Sequence, residues 1–168
     1  MFRNMNNKII EIQKDLTKDN YNFLRDMLYE TIFVPESEKP LLKSIINKPE
    51  LSEYISNWGR KGDIGLIAKY ETEMIGAIWV RVFPEYQKGY EFIDEKTPEL
   101  SMAIKKEYRN MGIGTKLFFN ILDNVKKQGY NTISLSVDKR NRAVNFYRRL
   151  GFERYEDIGT SYTMKRII

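Results

Sequence analysis

Tyr108-Arg109-Asn110-Met111-Gly112-Ile113-Gly114-Thr115-Lys116-Leu117 is the stretch on which the reading of this chain turns. An apolar-alternating run, Leu100 to Lys105, precedes it, and a helical pattern through Phe118, Ile121, Leu122 and Val125 follows. Strand, glycine-bearing turn and helix in that order set several free backbone N–H groups at a helix start, where a phosphate can accept them. Gly112 and Gly114 lack a Cβ, so the turn can take positive φ and a ligand can approach the backbone closely. Arg109 adds a forked cation suited to phosphate. The stretch therefore reads as a pyrophosphate cradle. It is not a dinucleotide fingerprint, because Leu117 stands where the third glycine belongs. Nor is it a P-loop, because Thr115 follows Gly114 and no glycine stands five positions before it. The bland alternative is a glycine-softened helix start that binds nothing.

Working outward, 168 residues with 42% hydrophobic side chains suit one globular domain, residues 1–168. No apolar run approaches the roughly 18 residues of a membrane helix. Met1-Phe2-Arg3-Asn4 lacks the apolar core of a signal peptide, so a soluble cytoplasmic protein without a membrane partner is expected. The chain has neither cysteine nor histidine. Disulfides, Ser-His-Asp and Cys-His mechanisms, and metal sites of thiolate or imidazole are thereby excluded. No spaced carboxylate motif points to an all-oxygen metal site, and no metal is expected. Proton transfer falls to Glu, Asp, Tyr, Lys, a terminus or water. A net charge of +5 admits an anionic partner, either nucleic acid or a phosphorylated cofactor.

The rest of the chain supplies strands and helices around this centre. Lys8 to Ile12 alternates as a first strand. Asp19 or Asn20 caps a helix whose apolar face carries Tyr21, Phe23, Leu24, Met27, Leu28 and Ile32. Pro35 and Pro40 mark a loop, and Leu41 to Ile46 allows a turn or two of helix. Pro49 suits a first helical position, with Leu51, Tyr54, Ile55 and Trp58 at helical spacing behind it and Gly59, Gly62 and Gly65 ending that helix. Ile64–Tyr70 and Met74–Phe83 form the best hairpin. A polar, aromatic-rich loop, Glu85 to Thr97, leads to the strand Glu99 to Lys105. The central helix ends near Lys126-Lys127-Gln128-Gly129, with cations in its last turn. Thr132–Val137 is a strand, Arg142–Leu150 a helix, and Phe152–Asp157 with Ser161–Ile167 a closing strand pair. This order argues an α/β (α+β) mixed sheet covered by helices.

Two separated segments resemble one family. Arg109-x-x-Gly112-x-Gly114 lies between strand and helix. The second segment runs from Ser134 through Asn141, Ala143, Phe146 and Tyr147 to Gly151-Phe152. Together they resemble the GNAT superfamily of acyl-CoA-dependent N-acyltransferases, from roughly Met74 to the C-terminus. The resemblance implies a single-domain GNAT-like fold, a central mixed and strongly twisted sheet with helices on both faces. It implies acetyl-CoA as co-substrate and a primary amine of a small molecule or peptide as acceptor, attacking directly in a ternary complex. Main-chain amides around Asn110, Met111, Gly112, Ile113, Gly114 and Thr115, with Arg109 beside them, would hold the pyrophosphate. Met102, Ala103 and Ile104 would pair with the pantetheine arm through main-chain bonds. A strand N–H near Ile104 would support the oxyanion, and Asn141 would hold the pantetheine from the other side. Tyr147 would be the general acid for the thiolate. Glu99 would be the base, directly or through water.

Lys139, Arg140, Arg142 and Arg148 are the basic residues near enough in sequence to meet the nucleotide phosphates. The acidic loop with Tyr86, Tyr90 and Phe92, together with Trp58 and Trp79, is a candidate lining for a cationic acceptor or, equally, a surface loop and two core tryptophans. A homodimer is an open option. Two other classes compete: a non-catalytic acyl-CoA sensor of the same fold, and a basic nucleic-acid binder. No nucleic-acid-binding motif supports the second, so nucleic acid is not the expected partner.

Overall fold

A computed structural model describes residues 10–13 and 16–168. Among these residues seven strands form one sheet: β1 (Ile10–Gln13), β2 (Ile64–Tyr70), β3 (Glu73–Arg81), β4 (Glu99–Ile104), β5 (Thr132–Asp138), β6 (Glu153–Ile158) and β7 (Ser161–Ile167). Four α-helices accompany them: α1 (Tyr21–Thr31), α2 (Pro49–Ser52), α3 (Ile113–Lys127) and α4 (Ala143–Arg149). The strand order is β1-β2-β3-β4-β5-β7-β6. Every pairing is antiparallel except β4 with β5. The first strand matches its expectation from Ile10; Lys8 and Ile9 lie outside the described residues.

Period-two alternation divides each strand between two cores. Leu66, Ile78, Leu100, Ile133 and Leu135 pack on one face beneath Leu117, Phe118, Ile121 and Val125 of α3 and Val144 of α4. Ile67, Ala77, Trp79 and Ala103 point the other way, against Phe23, Leu24, Met27 and Leu28 of α1 and Tyr54, Ile55 and Trp58 after α2. Both tryptophans are thus core residues.

The helix expected from Pro49 to Trp58 needs correction: it stops at Ser52. Asn57 and Gly59 take positive φ of 48° and 100°, which no continuing helix allows. The carbonyls of Glu53 and Ser56 are used elsewhere, accepting from the Arg81 guanidinium at 2.6 and 2.9 Å. That guanidinium is buried and also pairs with Asp63, Nε to Oδ1 at 2.8 Å and Nη2 to Oδ2 at 2.7 Å. Gly65 does not end a helix but lies within β2.

One irregularity positions everything that follows. β4 and β5 meet at a single register pair, Glu99 with Ser134, next to which the Ser134 N–H donates to Pro98 O at 3.0 Å. Beyond Glu99 the two parallel strands are no longer paired. Met102, Ala103 and Ile104 therefore border a wedge in the sheet.

Candidate active site

The turn before α3 takes the left-handed backbone that its glycines allow. Asn110 and Gly112 adopt left-handed φ of 62° and 74°, and Gly112 is the N-cap of α3. The turn leads its chain into the helix so that the Gly112 carbonyl accepts from Lys116 N–H at 3.0 Å. The amides of Asn110, Met111, Gly112, Ile113, Gly114 and Thr115 make no hydrogen bond among the described residues. Six consecutive unpaired donors thus stand at the positive end of a fifteen-residue helix, where an anion is stabilised. The Ile113 side chain is buried in the core while Met111 is exposed, so the turn offers backbone rather than side chains. A Cβ on Gly114 would lie 3.2 Å from Phe146 Cζ and 3.6 Å from Met102 Cε, which shows how tightly β4, α3 and α4 converge there.

Arg109 is engaged otherwise than its spacing implied. Its Nε donates to Ile104 O at 2.9 Å and its Nη2 pairs with Glu30 of α1 at 2.8 Å. It braces the turn against the end of β4, and only its remaining donors face no partner. Asn141 likewise has a local duty, because its Oδ1 accepts from Ala143 N–H at 2.9 Å and caps α4. Its amide NH2 stays available. Among the basic residues, Lys139 pairs with Asp157 at 2.5 Å, and Arg140 is held by Asp138 at 2.9 Å and Glu38 at 3.4 Å. These pairings break up the basic run that pointed to nucleic acid.

Tyr147 packs edge-on between Phe146 and Phe152, centroids 5.3 and 5.7 Å away. No hydrogen bond engages its hydroxyl among the described residues. Burial pushes the phenol well above its ordinary range, and a charge on Glu91 would add to that. Glu91 therefore lies within electrostatic reach of Tyr147.

Glu99 is not the solvated strand-end residue that its position allowed; it is 1% exposed. The loop from Glu85 to Thr97 folds over it. Tyr54 Oη lies 2.7 Å from Glu99 Oε2 and 2.8 Å from Glu91 Oε2, and accepts from Tyr90 N–H at 2.7 Å. Gly89 sits so close that a Cβ there would come within 2.0 Å of Glu99 Oε2. Burial lifts the Glu99 carboxyl to about 7, against hydrogen bonds that pull it down. Burial, then the charge of Glu99, lifts Glu91 well above the carboxylate range. A cavity of about 200 Å³ lies beside this cluster, lined by Pro49, Glu50, Glu53, Tyr54, Phe83, Gln87, Lys88 and Gly89. A larger one against α1 shares no residue with it.

Among the described residues, three buried side-chain polar atoms lack hydrogen-bond partners: Glu99 Oε1, Ser134 Oγ and Trp79 Nε1. Ser134 pairs in register with Glu99, and Trp79 stands two residues before Arg81, the partner of Glu99 on β3. All three therefore point to one face of β3, β4 and β5.

The acetyltransferase (GNAT) family profile matches residues 22–152, spanning the cradle, the wedge and Tyr147. The chain belongs to that family. Among curated GNAT-type relatives, N-alpha-acetyltransferase 30 of Schizosaccharomyces pombe is 45% identical over 62 residues, 36% of this chain and 41% of that protein. The probable N-acetyltransferase san of Drosophila melanogaster is 29% identical over 94 residues, 55% of this chain and 48% of that protein. The chain thus spans about half the length of the curated relatives it matches. The PaiA N-acetyltransferase of Thermoplasma acidophilum, solved in complex with coenzyme A, superposes with a TM-score of 0.65 at 23% identity, covering 95% of this chain and 99% of that one. The seven-stranded mixed sheet with helices on both faces is therefore the GNAT fold.

The motifs failed to single out Tyr54, Gly89 and Glu91. Tyr54 reads as one more apolar position at helical spacing, and Glu91 as one of five acids between Glu85 and Glu99. Those five acids do not make an open acidic patch. Glu91 and Glu99 meet Tyr54, Asp94 accepts from Lys96 N–H and Thr97 Oγ1, Glu95 accepts from Glu85 N–H, and Glu85 pairs with Lys88.

Proposed function

We propose that this protein is an N-acetyltransferase that transfers the acetyl group of acetyl-CoA to a primary amine of a small molecule or a peptide N-terminus, in the cytoplasm, as a monomer or homodimer. The observation that carries the reading is the run of unpaired amides from Asn110 to Thr115, opening beside the β4–β5 wedge in a chain of the GNAT family. Those amides would hold the pyrophosphate, with the free donors of Arg109 beside them. The unpaired edge of Met102, Ala103 and Ile104 and the Asn141 amide would hold the pantetheine arm. Acetyl-CoA, when bound, supplies a thioester, which an amine attacks without any metal.

The residues of the chain supply the proton chemistry. Glu99, poised near neutrality, takes a proton from the acceptor ammonium, directly or through water. Tyr147 gives its proton to the departing sulfur and is restored by the second proton that the nitrogen sheds. One proton returns to solvent per turnover, from Glu99. The orphaned Glu99 Oε1 and Ser134 Oγ favour a polar, hydrogen-bonding acceptor over an apolar one. An acyl-CoA sensor would need the same cradle; the unpartnered Tyr147 hydroxyl favours the enzyme.

Acetyl-CoA titration followed by release of free thiol across a panel of amines and peptides tests this reading. Tyr147→Phe should keep cofactor affinity and lose about 10²-fold in turnover; unchanged turnover removes Tyr147 from the mechanism. Gly112→Ala probes the cradle separately. A Cβ there meets nothing within 4 Å, so the effect arises from backbone conformation alone. Holding alanine at left-handed φ costs about 1–2 kcal/mol, or letting the turn relax misaligns the amides. Coenzyme A affinity measured by calorimetry should fall about tenfold. Equal affinity would show that the left-handed turn does not align the donors.

A further inference from the structure

The cluster of Tyr54, Glu91 and Glu99 contains a counting problem. Tyr54 carries one hydroxyl proton, yet carboxyl oxygens lie 2.8 and 2.7 Å from its Oη. Carboxylates only accept, so the phenol can serve one of them. The other short contact needs its own hydrogen, carried by a carboxyl group. Tyr90 N–H, at 2.7 Å, takes one acceptor position on Oη and leaves one more. Two arrangements meet this count, with the hydrogen on Glu91 or on Glu99, and the role of Glu99 as a base, which must be ionised to act, selects the first: a protonated Glu91 donates to Tyr54 Oη, and Tyr54 donates to Glu99.

We infer that Glu91 is a permanently neutral carboxylic acid and the positioning residue of the base, donating through the Tyr54 hydroxyl to hold Glu99 as the working carboxylate. The inference rests on the assignment of Glu99 as base. Among the described residues no ion pair links either carboxyl to a cation. Arg81, opposite Glu99 on β3, is turned to Asp63 and the carbonyls of Glu53 and Ser56. From α4 the cluster is faced by Tyr147, from β5 by Ser134, and from its own loop by Tyr90, whose phenol also feels Glu50 of α2. With Glu91 and Glu99 4% and 1% exposed, two adjacent carboxylates would be uncompensated in a dry site. The proton on Glu91 is not consumed: it stays in place while Glu99 alone cycles between carboxylate and acid.

The acid limb of the kcat/KM–pH profile and the infrared spectrum test this together. Glu91→Gln keeps a neutral donor, so the acid limb should stay in place. Tyr54→Phe removes the donor to Glu99 and Glu91→Leu removes the donor that orients it, so in each the limb should rise by about one pH unit or more. In the wild type, the C=O stretch of a neutral carboxylic acid should persist at about pH 9, far above the ordinary carboxyl range, and vanish in Glu91→Gln. That spectrum needs no turnover and stands even if Glu91→Leu does not fold. A limb that drops in Glu91→Gln, or no such band, means that Glu91 is charged and overturns the inference. The two readings fail separately. An acid limb that survives Glu99→Gln removes Glu99 as the base, and the role of Glu91 with it. A limb abolished by Glu99→Gln yet unmoved by Glu91→Leu and Tyr54→Phe overturns the relay alone.

Discussion

Arg81→Met should lower stability by about 3–5 kcal/mol, because it strands the Asp63 carboxylate inside the protein without its partner. For a chain of this length that is a fall of about 10 °C in melting temperature, read by calorimetry or circular dichroism. Both side chains are almost wholly inaccessible, 2% and 3% exposed, so solvent cannot replace the lost pairing. The same guanidinium lies 5.4 Å from the Trp58 ring and ties down the carbonyls of Glu53 and Ser56. The segment that carries Tyr54 should therefore loosen, and activity should fall with stability. Adding Asp63→Leu should recover part of the lost stability, since a hydrophobic pair no longer buries a lone charge. A melting temperature within a degree or two of wild type in the single variant would show that this ion pair does not anchor the segment.

Glu99→Gln should cut kcat about 10²–10⁴-fold and abolish the acid limb of the pH profile. The sign follows from the role: a base must be ionised, and the Glu99 carboxyl is lifted to about 7, so kcat/KM should climb with pH and level off just above neutrality. Folding runs the opposite way. A carboxyl held above its unfolded value makes the native state bind more protons, so its contribution to stability declines as pH rises towards 7. Glutamine has no such penalty, and Glu99→Gln should melt no lower than wild type at pH 8. That separates lost chemistry from lost structure. A variant with near-normal kcat and an unaltered limb would remove Glu99 from catalysis.

Much of this architecture was legible in the residues. The hairpin of β2 and β3, the strand–turn–helix around Gly112 and the run of β5, α4, β6 and β7 all follow from periodicity and turn chemistry. The spacing of Tyr54, Ile55 and Trp58 identified core positions correctly but implied the wrong backbone. A buried arginine from β3 took the carbonyls that a continuing helix would have used, and no local pattern announces a partner 25–28 residues away. The cradle was legible because backbone geometry there is set by two glycines close in sequence. The carboxyl cluster was not. It joins Tyr54, Glu91 and Glu99 across separations of 37 and 45 residues, and only folding distinguishes Glu91 from the solvated acids of its loop. Arg109 and Asn141 were found by motif, while their ties to Glu30 and Ala143 are tertiary and local details that a motif does not encode.

The lone rung between Glu99 and Ser134 makes two half-sheets, β1 to β4 and β5 to β7, into leaves joined at a hinge pin. Whatever occupies the opening between them would act as a keystone as well as a reactant, locking the leaves by the ordinary mass-action gain of any ligand that prefers the folded chain.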